Sequence, residues 1–205
     1  MIPFFASGLS VGYSGYAEEA RITELADYSG PLDASLKYDD FSKELLLKGL
    51  KAYGDYIRVL DGTWYLAVKR KMSDDLAFDC DRLVWDRMEV HDVEITRKLF
   101  NIKGDDVAAL LKCLQMSPWT WNLEHSVHLK EPNLGIWTVG RCPTLLALEK
   151  EGEGREKRIC GLIETELLQI RAHAINPKMK ATPLKLPPRT SKDDVHCQWE
   201  FRIED

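Results

Sequence analysis

The chain has 205 residues, 44% hydrophobic and 30% charged, with a formal net charge of −5 at pH 7. A domain of this size buries roughly 70% of the surface its unfolded chain exposes and needs no staples, and the acidic balance excludes the basic footprint of a nucleic-acid-binding protein. The opening MIPFFASGLSVG is too short for a bilayer span and lacks a basic n-region, and the five cysteines are irregularly spaced; a cytoplasmic protein with free thiols and no membrane contact is therefore expected.

Residues 1–38, rich in Gly, Ser, Tyr and Asp, show no sustained period and read as an irregular N-terminal arm. Its apolar residues Phe4, Phe5 and Leu9 permit a homodimer. Residues 39–205 read as one α+β domain, with a helical half over 39–117 and a sheet-containing half over 118–205.

In the helical half, Asp39 or Asp40 caps a helix carrying Phe41, Leu45, Leu46, Tyr53, Tyr56, Ile57 and Leu60 at helical spacing, with a break or kink expected at Asp61–Gly62. Ser73 caps a second, long helix to Phe100, whose core stripe is expected to be Cys80, Leu83, Val84, Met88, His91, Ile95 and Leu99. A short third helix begins at Asp105 or Asp106 and stops before Pro118.

Beyond Pro118 the period becomes two. Trp121, Leu123, His125, Val127 and Leu129 alternate with polar neighbours, Glu131-Pro132-Asn133 turns, and 134–141 returns as the second strand of a hairpin. Cys142-Pro143 opens a short helix, 160–175 forms another, and 178–186 with 195–204 form a closing strand pair. The fold expected is N-terminal helices packed with a mostly antiparallel sheet: hairpin, two helices, hairpin.

In the last strand Cys197 shares its face with Val195, Trp199, Phe201 and Ile203, so its thiol points inward. Cys160 falls where a helix N-terminus is expected, a place that lowers a thiol pKa. On that helix Glu164 and Arg171 fall within the apolar arc of Ile163, Leu167, Leu168 and Ile175. Buried charges must pair, bind a ligand or line a wet pocket. Two readings stay open: inert core thiols with an internal salt bridge, or a pocket in which Cys142, Cys160 and Cys197 hold zinc or iron and Arg171 clamps a carboxylate. His91 is either a satisfied core histidine or a proton-transfer group. Asp79, Asp81, Asp86 and Asp92 are spread around their helix and read as a solvated face, and His173 and His196 point away from the thiols.

The segments LDGTWYLAVKRKM, LVWD, SPW, RCPTLLALEKEG, AINPKMK, PPR and HCQWEF, in that order, resemble the DUF6125 family over about residues 40–204. That family is distantly similar to L-2-amino-thiazoline-4-carboxylic acid hydrolases and to 4-vinyl-reductase-like ligand-binding domains. The resemblance implies a pocket for a small, anionic molecule and maps Cys160 and Cys197 onto cysteines before the shared helix and in the last strand. Acidic residues are usual where Lys69 and Arg189 stand. The function expected is a metal- or thiol-dependent hydrolase of a C–N bond in a small carboxylate, with Glu164 and His91 moving protons; the alternative is a non-catalytic ligand or metal sensor.

Overall fold

The computed structural model describes residues 24–204. They fall into two compact units, one ending at Leu47 and the other running from Lys48. The division lies inside the first helix, α1 (Lys43–Lys71). Phe4, Phe5 and Leu9, on which a dimer was expected, lie outside the described residues.

In the first unit residues 24–37 are irregular, as their composition implies, and are tied down by one parallel bridge between Leu25 and Phe41. Leu25 N–H donates to Asp40 at 2.8 Å, Ser42 N–H donates to Leu25 at 2.9 Å, and the Tyr28 ring meets Phe41 edge-on at 6.3 Å.

In the second unit α1 runs unbroken through Asp61–Gly62, where a kink was expected; one exposed glycine costs a helix interior only about 1 kcal/mol. The helix α2 (Asp74–Leu99) starts where the Ser73 hydroxyl accepts from Leu76 N–H at 3.1 Å. The helix α3 (Val107–Met116) starts where Asp106 accepts from Ala109 N–H at 2.8 Å and ends before Pro118. These side chains satisfy N–H groups that have no partner inside the helix.

Four strands follow: β1 (Glu124–Glu131), β2 (Leu134–Arg141), β3 (Met179–Lys185) and β4 (Cys197–Ile203). They form one antiparallel sheet in the order β1-β2-β4-β3, so the first hairpin and the closing pair join through β2 and β4. Between them run α4 (Pro143–Glu151), α5 (Glu156–Arg158) and α6 (Glu164–Ile175). The protein is α+β.

Helices α3 and α6 cover one face of the sheet, burying Leu110, Leu114, Leu168, Trp137, Trp199 and Phe201 in one core. Gly135 marks how closely α3 approaches β2: a Cβ there would lie 2.7 Å from Val107 Cγ1 and 2.9 Å from Leu111 Cδ1. A smaller apolar cluster joins Tyr65 of α1, Phe78 of α2 and Ile163 and Leu167 beside it.

The long helices bury faces different from those expected, turned partway around each helix. On α2, Leu83, Val84, Met88, His91, Ile95 and Leu99 are exposed, and Phe78, Glu89, Asp92, Val93 and Thr96 are buried. On α1, Tyr65 is the buried residue, while Tyr53, Tyr56, Ile57 and Leu60 are exposed. The reason is electrostatic. A buried cation on α6 draws the acidic face of α2 inward, because a guanidinium enclosed without counter-ions costs more than apolar side chains left in water.

Candidate functional site

The cation is Arg171, one face turn from Leu167 and Leu168 on α6 and only 3% exposed. Its Nε donates to Glu89 Oε2 at 2.5 Å and its Nη2 to Asp92 Oδ2 at 2.5 Å. Asp92 also accepts from Ser117 Oγ at 2.5 Å and from Thr96 Oγ1 at 3.0 Å, so this carboxylate is held by three donors. Burial disfavours charge on Arg171, but Glu89 and Asp92 more than offset it and its pKa is raised. The expected partner, Glu164, is not the one Arg171 uses. Its Nη1 has no hydrogen-bond partner among the described residues.

Arg171 borders a cavity of about 90 Å³, enough for several waters or one small molecule. The sheet contributes Trp137, Trp199 and Cys197; α2 contributes Asp81, Trp85 and Glu89; α1 contributes Asp61. Cys142, Cys160 and Glu164 complete the polar wall, so the three thiols, Glu164 and Arg171 do line one hollow. His91 does not; it stands exposed on the outer face of α2.

Cys160 is not at a helix N-terminus. The helix begins earlier, at Glu156, and Ile159–Ile163 forms a π-turn joining α5 to α6. The wider turn brings Ile159, Cys160, Ile163 and Glu164 together onto the cavity side. Burial, then the neighbouring Glu164 and the other two thiols, pushes Cys160 far above the ordinary thiol range. Burial also pushes Cys197 up to about 12 and raises Cys142. It is Cys142 that holds a helix N-terminus: it caps α4, and its Sγ accepts from Leu145 N–H at 3.5 Å. All three are therefore thiols, not thiolates, at neutral pH.

The carboxylates behave differently. Burial, with repulsion from Glu89, Asp81 and Asp61, lifts Glu164 to about 7. Burial and the adjacent Asp61 lift Asp81 to about 7. Asp61 is raised by burial although the Trp85 indole donates to it at 2.9 Å. The site thus holds carboxyl groups that exchange protons near neutrality. Trp85 meets Trp119 edge-on at 4.6 Å, and both rings line the cavity.

Among the described residues no group of three His, Cys, Asp or Glu side chains is placed to hold a metal ion. The buried, protonated thiols do not form a ready ligand set for zinc or iron.

Sequence reasoning missed Asp61, Asp81, Asp92 and His196. Asp81, Trp85, Glu89 and Asp92 repeat at intervals of four, four and three residues, which marks a polar helix face as clearly as the apolar stripe beside it. Contrary to the solvated reading, Asp81 lines the cavity and Asp92 is buried. His196 is buried at the cavity wall, and its Nδ1 accepts from Cys142 N–H at 2.9 Å. Two basic residues at unusual positions find acids. Lys69 pairs with Glu151 and Glu153, and Arg189 grips Glu149 with two bonds of 2.8 and 2.6 Å.

A model of the DUF6125 family, a family of unknown function, matches residues 39–203. The chain belongs to that family. No curated protein and no solved structure matches it. The matched residues contain every side chain that lines the cavity, and among the described residues no helix is long and apolar enough to cross a membrane.

Proposed function

We propose that this member of the DUF6125 family binds a small molecule carrying both a protonatable nitrogen and a hydrogen-bond acceptor such as a carboxylate. The observation that carries the reading is the unpartnered Nη1 of a buried Arg171 on the wall of a cavity that also holds Glu164. An acceptor on the ligand satisfies that N–H group. A nitrogen cation suits the carboxylates at the cavity wall and the faces of Trp85 and Trp119.

A simple anion fits less well than the sequence suggested. Asp61, Asp81, Glu89 and Glu164 all border the cavity, and Arg171 is already shared between Glu89 and Asp92. The enclosed charge is negative on balance, so the anionic group of the ligand needs a positive group beside it.

A catalytic form of the reading is favoured by Glu164 alone, since a carboxyl titrating near 7 is suited to proton transfer. Water would add to the carbon of an amidine-like C=N bond while Glu164 takes the water's proton and gives it to the C=N nitrogen; Glu164 would then move the proton of the new hydroxyl to the leaving nitrogen as the C–N bond breaks, leaving a carbonyl and an amine. The thiols, held protonated, serve as walls in this scheme.

Titration calorimetry at pH 7 with three probes tests the reading: 3-guanidinopropionate, benzamidine and benzoate. The zwitterionic probe is expected to bind with a heat that depends on the buffer, and Glu164→Gln to reduce that dependence, the remainder belonging to Asp81. Benzoate binding more tightly than 3-guanidinopropionate would contradict it.

A further inference from the structure

Helices α2 and α6 lie side by side and run the same way. Arg82 near the start of α2 pairs with Glu166 at 2.6 Å, and Glu89 and Asp92, further along α2, pair with Arg171 towards the end of α6. The two helices therefore rule the cavity wall in matching steps. Asp81 and Glu164 stand at its first level. Glu89 and Arg171 stand at its second, eight residues later on α2 and seven later on α6, a separation of about 10–12 Å along the helix axes.

Each level lacks a partner of the opposite kind. At the first, Asp61 of α1 joins Asp81 on the cavity wall, and among the described residues the donor they have is the Trp85 indole, 2.9 Å from Asp61 Oδ1. Neither carboxyl has a cation within ion-pair distance among those residues. Arg155, which acts on Asp81 from further off, is bonded to Glu151 at 2.6 Å and stacked on the Tyr65 ring at 4.3 Å. At the second level Arg171, 3% exposed, keeps its Nη1 without an acceptor. Between the two levels α2 presents Trp85 and α6 presents Leu167 and Leu168, an apolar stretch that suits methylene groups.

Length and volume limit what can bridge them. Taking a hydrogen-bond length of about 3 Å from each end leaves a span of roughly 6–8 Å, which an extended chain of about five or six carbons covers. At roughly 10–15 Å³ for each water-sized group, the cavity of about 90 Å³ has room for about six to nine non-hydrogen atoms. Both limits meet in a short linear chain charged at its two ends.

We propose that the ligand is a linear carboxylate of five or six carbons with a cationic nitrogen at its far end, the nitrogen seated between Asp61 and Asp81 and the carboxylate on Arg171 Nη1. This rests on the reading of the cavity as a site for a nitrogen cation and an acceptor, and adds to it the seat of each end and the distance between them. The nitrogen end then lies at the level of Glu164, the group suited to proton transfer.

Titration calorimetry of the full chain at pH 7 tests it with 6-aminohexanoate, 3-aminopropanoate, hexanoate and, as the reference for the site itself, 3-guanidinopropionate. The six-carbon zwitterion is expected to bind more tightly than 3-aminopropanoate and hexanoate by roughly tenfold or more. Asp81→Asn and Asp61→Asn, the second of which keeps an oxygen for the Trp85 indole, are each expected to weaken it by roughly tenfold or more with the helical circular dichroism unchanged. Binding of 3-aminopropanoate as tight as that of 6-aminohexanoate would overturn the span, and it decides the length even where a variant loses its fold. Folded variants that bind 6-aminohexanoate as well as the wild type would overturn the seat of the nitrogen. In either case binding of 3-guanidinopropionate leaves the broader reading of the site standing, whereas failure of every probe, 3-guanidinopropionate included, would defeat that reading and this one with it.

Discussion

Arg171 on α6 holds Glu89 on α2 through a 2.5 Å Nε–Oε2 bond inside the protein, 82 residues apart in sequence. This pair, with Asp92, sets which face of α2 points inward. Removing the guanidinium leaves two carboxylates enclosed, and breaking a buried pair from one side costs about 3–5 kcal/mol. Arg171→Met should therefore lower urea stability by that order at pH 7. Part of the loss should return in the triple variant that also carries Glu89→Gln and Asp92→Asn. A stable Arg171→Met single variant would show that the pair is not what orients α2.

The raised carboxyl at Glu164 gives a pH signature. Its pKa is about 7 in the folded chain against an ordinary 4.5, so between those values the native state binds more protons than the unfolded one and stability falls as pH rises. The stabilisation is complete below about pH 4.5 and lost through pH 7. Glu164→Gln should reduce the slope of this part of the profile, to which Asp81 also contributes, and be more stable than wild type at pH 8 by on the order of 2–3 kcal/mol. Chemical unfolding of both proteins at pH 5 and pH 8 checks it, because only the difference between them isolates this group.

Much of the fold was legible because short-range chemistry dictates it. Ser73 and Asp106 cap the helices their sequence positions suggest, and Glu131-Pro132-Asn133 turns the hairpin. The inward phase of Cys197 and the arc shared by Glu164 and Arg171 foretold that these residues would meet in one hollow. The orientation of α2 was not legible from its own residues, since its apolar stripe and its acidic stripe compete and a residue on another helix decides between them. The π-turn that carries Cys160 hid for a similar reason: its five residues differ in no obvious way from an ordinary helical turn.

The cavity thiols should be slow to react. Burial raises Cys142, Cys160 and Cys197, so iodoacetamide at pH 7.5 should leave these three unmodified in the native protein and label them within minutes in 8 M urea, as read by peptide mass spectrometry. Rapid native labelling of Cys160 would restore the nucleophile reading.

Gly135 supplies a test of how α3 seats on the sheet. An alanine there puts its Cβ within 3 Å of Val107 and Leu111, and overpacking of a fixed core typically costs about 1–3 kcal/mol. Gly135→Ala should lower the denaturation midpoint accordingly, whereas Gly152→Ala, at a helix end with open space around it, is disfavoured by its φ of 76° alone.

The measurement closest to the central claim is the titration of the Glu164 carboxyl by carbon-13 NMR, assigned by its absence in Glu164→Gln. The cavity described above predicts a midpoint near 7 in the free protein, displaced when 3-guanidinopropionate is added. A midpoint near 4.5 that the probe does not move would mean that Glu164 meets bulk water, and the hollow beside Arg171 would then have no claim to be a binding site.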